Sequence, residues 1–448
     1  MTLRIETQDL QERQLQLKVE VPRERIEAAM HRAARHLSEH TRIAGFRPGK
    51  APYELILQKL GEEAVFDEAL EGLGQEVYKQ ALADSSLEPI APGSLEEVVS
   101  RDPLVLRYTV PLAPEIDLGS FRDLRLDYEE AAVSDEALER VLDDLRQQQA
   151  LIEPANRAGQ MSDVVVVDVH GRLRDAPDSP LLDEHGISVL LAPTTDFPVP
   201  GISEQLVGLE AGAEKTIEHV FPDDYSNEAL RGKPAVFDIK IQEVKSRLVP
   251  EWSDDLAKNL GEFNDLLDLR VKLRQSLLEQ AVRKADSAYA DMVVERVAEA
   301  AQVVFPPVLL HEELDVMLRD LDRRLRDQHL TLADYLKIEK KTEEELRTEL
   351  EPRARQHLVR SLVLGKVVEA EGLKVDDAEV DAEIQRMSAP LKEQAESLRK
   401  LLDTATGRHR IHLDLLADKS VRRLSDIARG RAPEPESDAT KKDEGTHA

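Results

Sequence analysis

The chain has 448 residues, too many for a single hydrophobic core, and its length points to about three folding units. Hydrophobic residues at 41% exclude global disorder, while 33% charged and 4% aromatic residues point to much helix with long solvated faces. A net charge of −29 argues against general binding to phosphate backbones, so DNA is not an expected partner, and the lack of cysteine excludes disulfides and thiolate metal sites.

The start, Met1-Thr2-Leu3-Arg4-Ile5, is polar within a few residues and shows no apolar signal core. No run approaches the ~18 apolar residues of a membrane span, so a cytoplasmic protein without membrane contact is expected. Residues 1–60 hold 11 Lys/Arg against 8 Asp/Glu, net +3, which leaves −32 on the remainder. The first segment is therefore where an anionic partner would dock.

Residues 1–113 read as an α+β unit. Leu15, Leu17, Val19 and Val21 alternate with polar residues as in a half-buried strand. Pro22 opens a helix with Ile26, Met30, Ala33, Ala34 and Leu37 on one face; further helices are expected at 53–60 and 64–82, and a returning strand at 104–110. Residues 114–150 form a connector that should pack on the C-terminal body. Ser134 can cap a helix there, and Leu138, Val141, Leu142 and Leu145 make a stripe that something must cover.

Residues 151–247 change to short strands and turns, with apolar runs at 164–169 and 187–191 and alternation at Phe237, Ile239 and Ile241. Residues 248–430 are helical: one helix capped by Asn264 and running toward Val303, then others near 308–328, 342–371, 376–403 and 408–428. Residues 431–448 are rich in proline and charge and read as a disordered tail.

The most informative segment is Gly45-Phe46-Arg47-Pro48-Gly49-Lys50-Ala51-Pro52. Two glycines and two prolines make an exposed turn between helices, offering one aromatic and two cations to a partner that is part apolar and part anionic. This octapeptide resembles the ribosome-binding signature of the trigger factor family, Gly-Phe-Arg-x-Gly-Lys-x-Pro, at every specified position. The resemblance covers most of the chain. Asp144-Leu145-Arg146-Gln147-Gln148-Gln149 is similar to the family's linker, and residues 360–371 followed by Gly372-Leu373-Lys374-Val375 to its central C-terminal helix.

The resemblance implies a multidomain α+β architecture: an α+β ribosome-binding head, an FKBP-like β-rich middle domain and an all-helical C-terminal body. It further implies an ATP-independent chaperone that docks near the polypeptide exit tunnel of the large ribosomal subunit, on protein and rRNA, and shields nascent and unfolded polypeptides. Gly45, Phe46, Arg47, Pro48, Gly49 and Lys50 are the residues carried over as the ribosome-binding loop. A homodimer off the ribosome is compatible with a large apolar cradle, for which Leu309, Leu310, Leu314, Met317, Leu318 and Leu321 are candidates, although such spacing more often marks core.

The middle domain's carried-over isomerase pocket is Val169, Val199, Ile202, Tyr225 and Phe237. X–Pro rotation has a barrier of ~18–20 kcal/mol, and an aromatic-lined apolar pocket that favours the twisted amide is what lowers it. Tyr225 and Phe237 match the family, but Val169 and Ile202 stand where aromatics are usual, and Leu181-Leu182-Asp183-Glu184 replaces the usual Glu-x-Phe stretch. Isomerase activity is therefore left undecided, with weak or absent activity favoured, and a free isomerase or holdase is the alternative reading.

No cofactor is expected. Gly45-x-x-x-Gly49-Lys50 has one residue too few between its glycines for a nucleotide loop, and Ala51 follows the lysine instead of Ser/Thr. The 12 histidines include no HExxH pattern, and His409 and His412 lack a companion ligand, so no metal site is expected.

Overall fold

The computed structural model describes residues 3–433 apart from 42, 44, 45, 223, 224, 226, 228 and 229. The tail expected to be disordered lies, from residue 434, outside the described residues. The chain forms two compact units, one of residues 1–128 with 286–448 and one of residues 129–285.

In the first unit, β1 (Arg4–Asp9), β2 (Gln14–Val21), β3 (Ser94–Arg101) and β4 (Leu104–Pro111) make an antiparallel sheet in the order β1-β2-β4-β3. The alternation at Leu15, Leu17, Val19 and Val21 does what its period implies, because all four side chains are buried on one face. Helices α1 (Arg23–His40) and α3 (Glu62–Asp84) cover that face through Met30, Ala33, Val65, Leu73 and Val77, and α2 (Tyr53–Leu60) adds Ile56. The edge strands β1 and β3 were not legible, since almost every residue in them faces solvent and leaves no apolar alternation.

The rest of this unit is helical: residues 286–300 of α7 (Leu266–Ala300), then α8 (Pro307–Asp327), α9 (Leu332–Glu339), α10 (Glu343–Ala370), α11 (Asp377–Ser388), α12 (Ala395–Leu402) and α13 (Ala405–Ala428). Tyr289, Val293 and Val297 of α7 pack with Val363 and Val367 of α10 and Leu424 of α13. A second cluster joins Leu310 and Leu314 of α8 to Ala354 and Leu358 of α10.

Two helix readings need correction. The helix expected to reach Val303 stops at Ala300, because Gln302–Val304 forms a short strand that pairs with β5 (Glu115–Asp117) of the connector. The helix expected over 376–403 is two helices, divided by a 3-10 segment from Ala389 to Gln394 that contains Pro390, whose ring and missing N–H oppose an α-helical run.

In the second unit, α4 (Asp135–Gln148) is capped by Ser134, whose hydroxyl accepts from the Ala137 N–H at 3.2 Å. Its Leu138 and Leu142 are buried against Ala257 of α6 (Asp254–Leu260) and Leu269 of α7. The cap of α7 is Asp265, not Asn264: the Asp265 carboxylate accepts from the Asp268 N–H at 2.8 Å, while Asn264 donates its own N–H to Asp268 at 2.9 Å.

The remaining residues of this unit form an antiparallel sheet of β6 (Leu151–Pro154), β7 (Val164–Leu173), β8 (Ala176–Leu190), β9 (Glu214–Val220) and β10 (Pro234–Leu248). Long β10 pairs with β7 on one side and with β6 and β9 on the other. The sheet packs on the short helix α5 (Ile202–Leu206), with Val167, Val169, Phe237, Ile239, Ile202 and Leu206 at the centre.

Candidate functional site

The loop between α1 and α2 is built from its backbone upward. Thr41 leaves α1 in an extended conformation, and buried Ile43 anchors the chain to the sheet–helix core. The Phe46 N–H then donates to the Ile43 carbonyl at 3.3 Å, and the Lys50 N–H to the Arg47 carbonyl at 3.0 Å. With Pro48 and Gly49 between them, and Gly49 at φ +76°, residues 47–50 form a type II turn. Only glycine suits this position, for a Cβ there would sit 2.9 Å from Cγ of Glu39. The Gly49 N–H also donates to the Ser38 carbonyl at 3.1 Å, tying the turn to the end of α1.

The turn presents what the sequence suggested. Phe46 is 42% exposed, a large value for a phenylalanine, and Arg47, Pro48 and Lys50 are exposed beside it while Gly49 is half-buried. Gly45 lies outside the described residues. Among the described residues neither Arg47 nor Lys50 has an ion-pair partner, so both charges are available to an anion. Tyr53, just past Pro52, stacks on His31 with ring centroids 3.9 Å apart and fixes the start of α2 against α1.

The residues carried over as an isomerase pocket come together in the middle-domain sheet. Val169, Val199, Ile202 and Phe237 are each at most 2% exposed and interlock in the β-sheet core, with Tyr225 partly buried alongside. Gly171 makes room for them: a Cβ there would come within 2.7 Å of the Phe237 ring. Phe221, which the sequence reading did not single out as a pocket residue, packs on Tyr225 with centroids 4.8 Å apart. These side chains pack together in the core of the sheet.

In the helical body, Leu310, Leu314 and Leu318 are core residues, with Leu309, Met317 and Leu321 partly buried. The apolar surface lies elsewhere. Met387, Leu391, Leu401 and Leu413, on α11, α12, α13 and the segment between α11 and α12, are 43–69% exposed. A groove of about 530 Å³ between α7 and α10 adds Ala298, Pro352 and Val359, rimmed by charges of both signs from Asp291, Glu295, Arg353 and Arg360. Periodicity could not have singled these out: Met387, seven residues after buried Val380, is in phase with the buried stripe of α11.

Residues 1–145 match the family model for the bacterial trigger factor protein, and residues 265–426 match the model for its C-terminus. The chain belongs to the trigger factor family. The trigger factor of Pelotomaculum thermopropionicum is 32% identical over 416 residues, covering 92% of this chain and 94% of its own. That of Geobacillus kaustophilus is 31% identical over 396 residues, covering 87% and 92%. A solved structure of the trigger factor chaperone, described for promiscuous substrate recognition in folding and assembly, superposes with a TM-score of 0.57 at 22% identity, over 94% of this chain and 99% of that one. The trigger factor fold, with its mixed α+β content and helical C-terminal part, is thus shared along nearly the whole length. Among the described residues no helix is long and apolar enough to cross a membrane.

Proposed function

We propose that this trigger factor docks on the ribosome near the tunnel exit through Phe46, Arg47 and Lys50, and that its helical body shields emerging chains. The observation that carries the reading is the 47–50 turn, held by Gly49 at φ +76°, which sets an exposed aromatic beside two exposed cations. An rRNA phosphate next to a ribosomal protein offers the matching surface: anions for Arg47 and Lys50, an apolar contact for Phe46.

Holding of clients would rest on exposed apolar groups such as Met387, Leu401 and Leu413 and on the α7–α10 groove. Apolar contact scales with buried area at about 25 cal/mol per Å² and needs no sequence code, which suits clients of every sequence. Release then follows from the weakness of each contact and from folding of the client, without nucleotide. Burial of Val169, Val199, Ile202 and Phe237 favours a structural middle domain over a strong prolyl isomerase.

The test is co-sedimentation with vacant ribosomes, comparing wild type with Phe46→Ala/Arg47→Ala/Lys50→Ala. Saturable binding that is lost in the triple variant, with its circular dichroism unchanged, is the expected result. Absence of wild-type binding at low salt would overturn ribosome docking and leave a free holdase.

A further inference from the structure

On the outer face of the middle-domain sheet, His170 of β7 lies opposite Asp183 of β8 in the strand register. Its Nδ1 is 2.6 Å from an Asp183 carboxylate oxygen. Two positions on, the ladder is interrupted. Val167 pairs with Ile187 and Val169 with Glu184, so His185 and Gly186 together face Asp168. This is a β-bulge, with Gly186 in the left-handed conformation at φ +67°. The bulge turns His185 toward His170: Nε2 of His185 is 3.5 Å from the same Asp183 oxygen, and the two imidazole centroids are 5.1 Å apart. One ligating atom from each of His170, Asp183 and His185 falls within 4.8 Å of the others.

The fourth member is Asp168, which is not free to wander. One of its carboxylate oxygens accepts from the Gly186 N–H at 2.9 Å, and the other from the Gln242 amide at 2.6 Å. Its Oδ1 is 3.4 Å from Nδ1 of His185. A carboxylate that accepts a hydrogen bond from Nδ1–H leaves the Nε2 lone pair to point at a metal, the arrangement that fixes the tautomer and raises the basicity of ligating histidines.

We propose that His170, Asp183 and His185 form a binding site for a divalent transition metal of the zinc, nickel or cobalt class, with Asp168 orienting His185. Two imidazole nitrogens with one carboxylate select this class over magnesium or calcium, which demand oxygen ligands. A four-coordinate ion with bonds of about 2.0–2.2 Å places its ligand atoms about 3.3 Å apart. The three side chains are 51%, 55% and 63% exposed, so nothing packed around them resists the rotations that bring the ligands to that spacing. Water completes the sphere. Bound there, the ion clips β7 to β8 across the bulge and stabilises the sheet by mass action.

The experiment is calorimetric titration of the full-length, chelator-stripped protein with zinc chloride, repeated for His170→Ala, His185→Ala, Asp183→Asn and Asp168→Asn. Wild type should bind one zinc per chain with micromolar affinity, unaffected by millimolar magnesium. Each ligand substitution should weaken that site at least tenfold. Asp168→Asn should weaken it about ten- to a hundredfold although it supplies no ligand. Cobalt(II) should give wild type the intense visible band of a four-coordinate ion, absent in His170→Ala. Unchanged melting curves in chelator establish that the variants fold. Wild-type zinc binding no tighter than about 100 μM, or binding unchanged by His170→Ala and His185→Ala, overturns the proposal.

Discussion

Glu371 shows how a single residue can hold several elements. Its side chain is 1% exposed at the end of α10, yet it accepts bonds from Arg122 at 2.7 and 2.8 Å and from Arg423 of α13 at 2.8 Å. Burial pushes its carboxyl up, but the two guanidiniums more than offset this and hold it below the usual range. Removing the anion breaks both ion pairs, so Glu371→Gln should cost ~3 kcal/mol, near the low end for a broken buried pair because Arg122 remains 32% exposed. Since the folded-state value is depressed, the contribution is complete above the ordinary carboxyl value and disappears as pH falls through the folded value. The stability gap between wild type and variant, measured by urea unfolding, should therefore be widest near neutrality and close in acid. Gly49 is the second such residue. Alanine forced into the left-handed region costs ~1–2 kcal/mol. Gly49→Ala should therefore weaken ribosome binding about five- to thirtyfold in co-sedimentation while leaving the melting curve of the helical body unchanged.

Among the elements, α10 illustrates how caps set boundaries. Thr342 accepts from the Glu345 N–H at 3.2 Å while the Glu345 carboxylate accepts from the Thr342 N–H at 2.8 Å, a reciprocal capping box. The Thr-x-x-Glu spacing was visible in the sequence, and the helix expected from 342 begins at Glu343. Thr342→Ala should lower stability by ~1 kcal/mol, read as a shift in the urea midpoint without a change in slope. The end of α7 was not visible in the same way. Gln302-Val303-Val304 continues an apolar pattern that a helix could use, and it leaves the helix where Glu115–Asp117 offers a strand partner. That partner is almost 190 residues away in sequence, beyond any local signal. Edge strands β1 and β3 escaped notice for the complementary reason, that backbone pairing alone holds them and their side chains report little.

For the whole molecule, the apolar groups left uncovered matter more than those in the cores. Met387, Leu401 and Leu413 are exposed on neighbouring helices whose buried faces, through Val380, Ile384 and Ile411, already form a core of their own. Substituting all three with serine should leave the melting temperature nearly unchanged, since exposed positions contribute within about 0.5 kcal/mol each. It should nonetheless reduce the suppression of aggregation of a denatured client, measured by light scattering. A fall in melting temperature of many degrees would instead mark them as structural. The division into units of 129–285 and of 1–128 with 286–448 also predicts non-two-state melting, with a calorimetric enthalpy exceeding the van't Hoff value.

The sequence by itself determined whatever depends on near neighbours. It held the strand alternation at 15–21, the Ser134 cap, the Pro48-Gly49 turn with its exposed Phe46, and the octapeptide that ties the loop to the trigger factor family. These are legible because backbone dihedrals, caps and periodicity act within a few residues. Only the tertiary structure decided that Val169, Ile202 and Phe237 fill a core, that Leu310 and Leu314 are covered while Leu401 and Leu413 are not, and that His170, Asp183 and His185 meet across a bulge. Burial and ligand convergence depend on which distant segment arrives at a face, and no periodicity in the chain records that arrival.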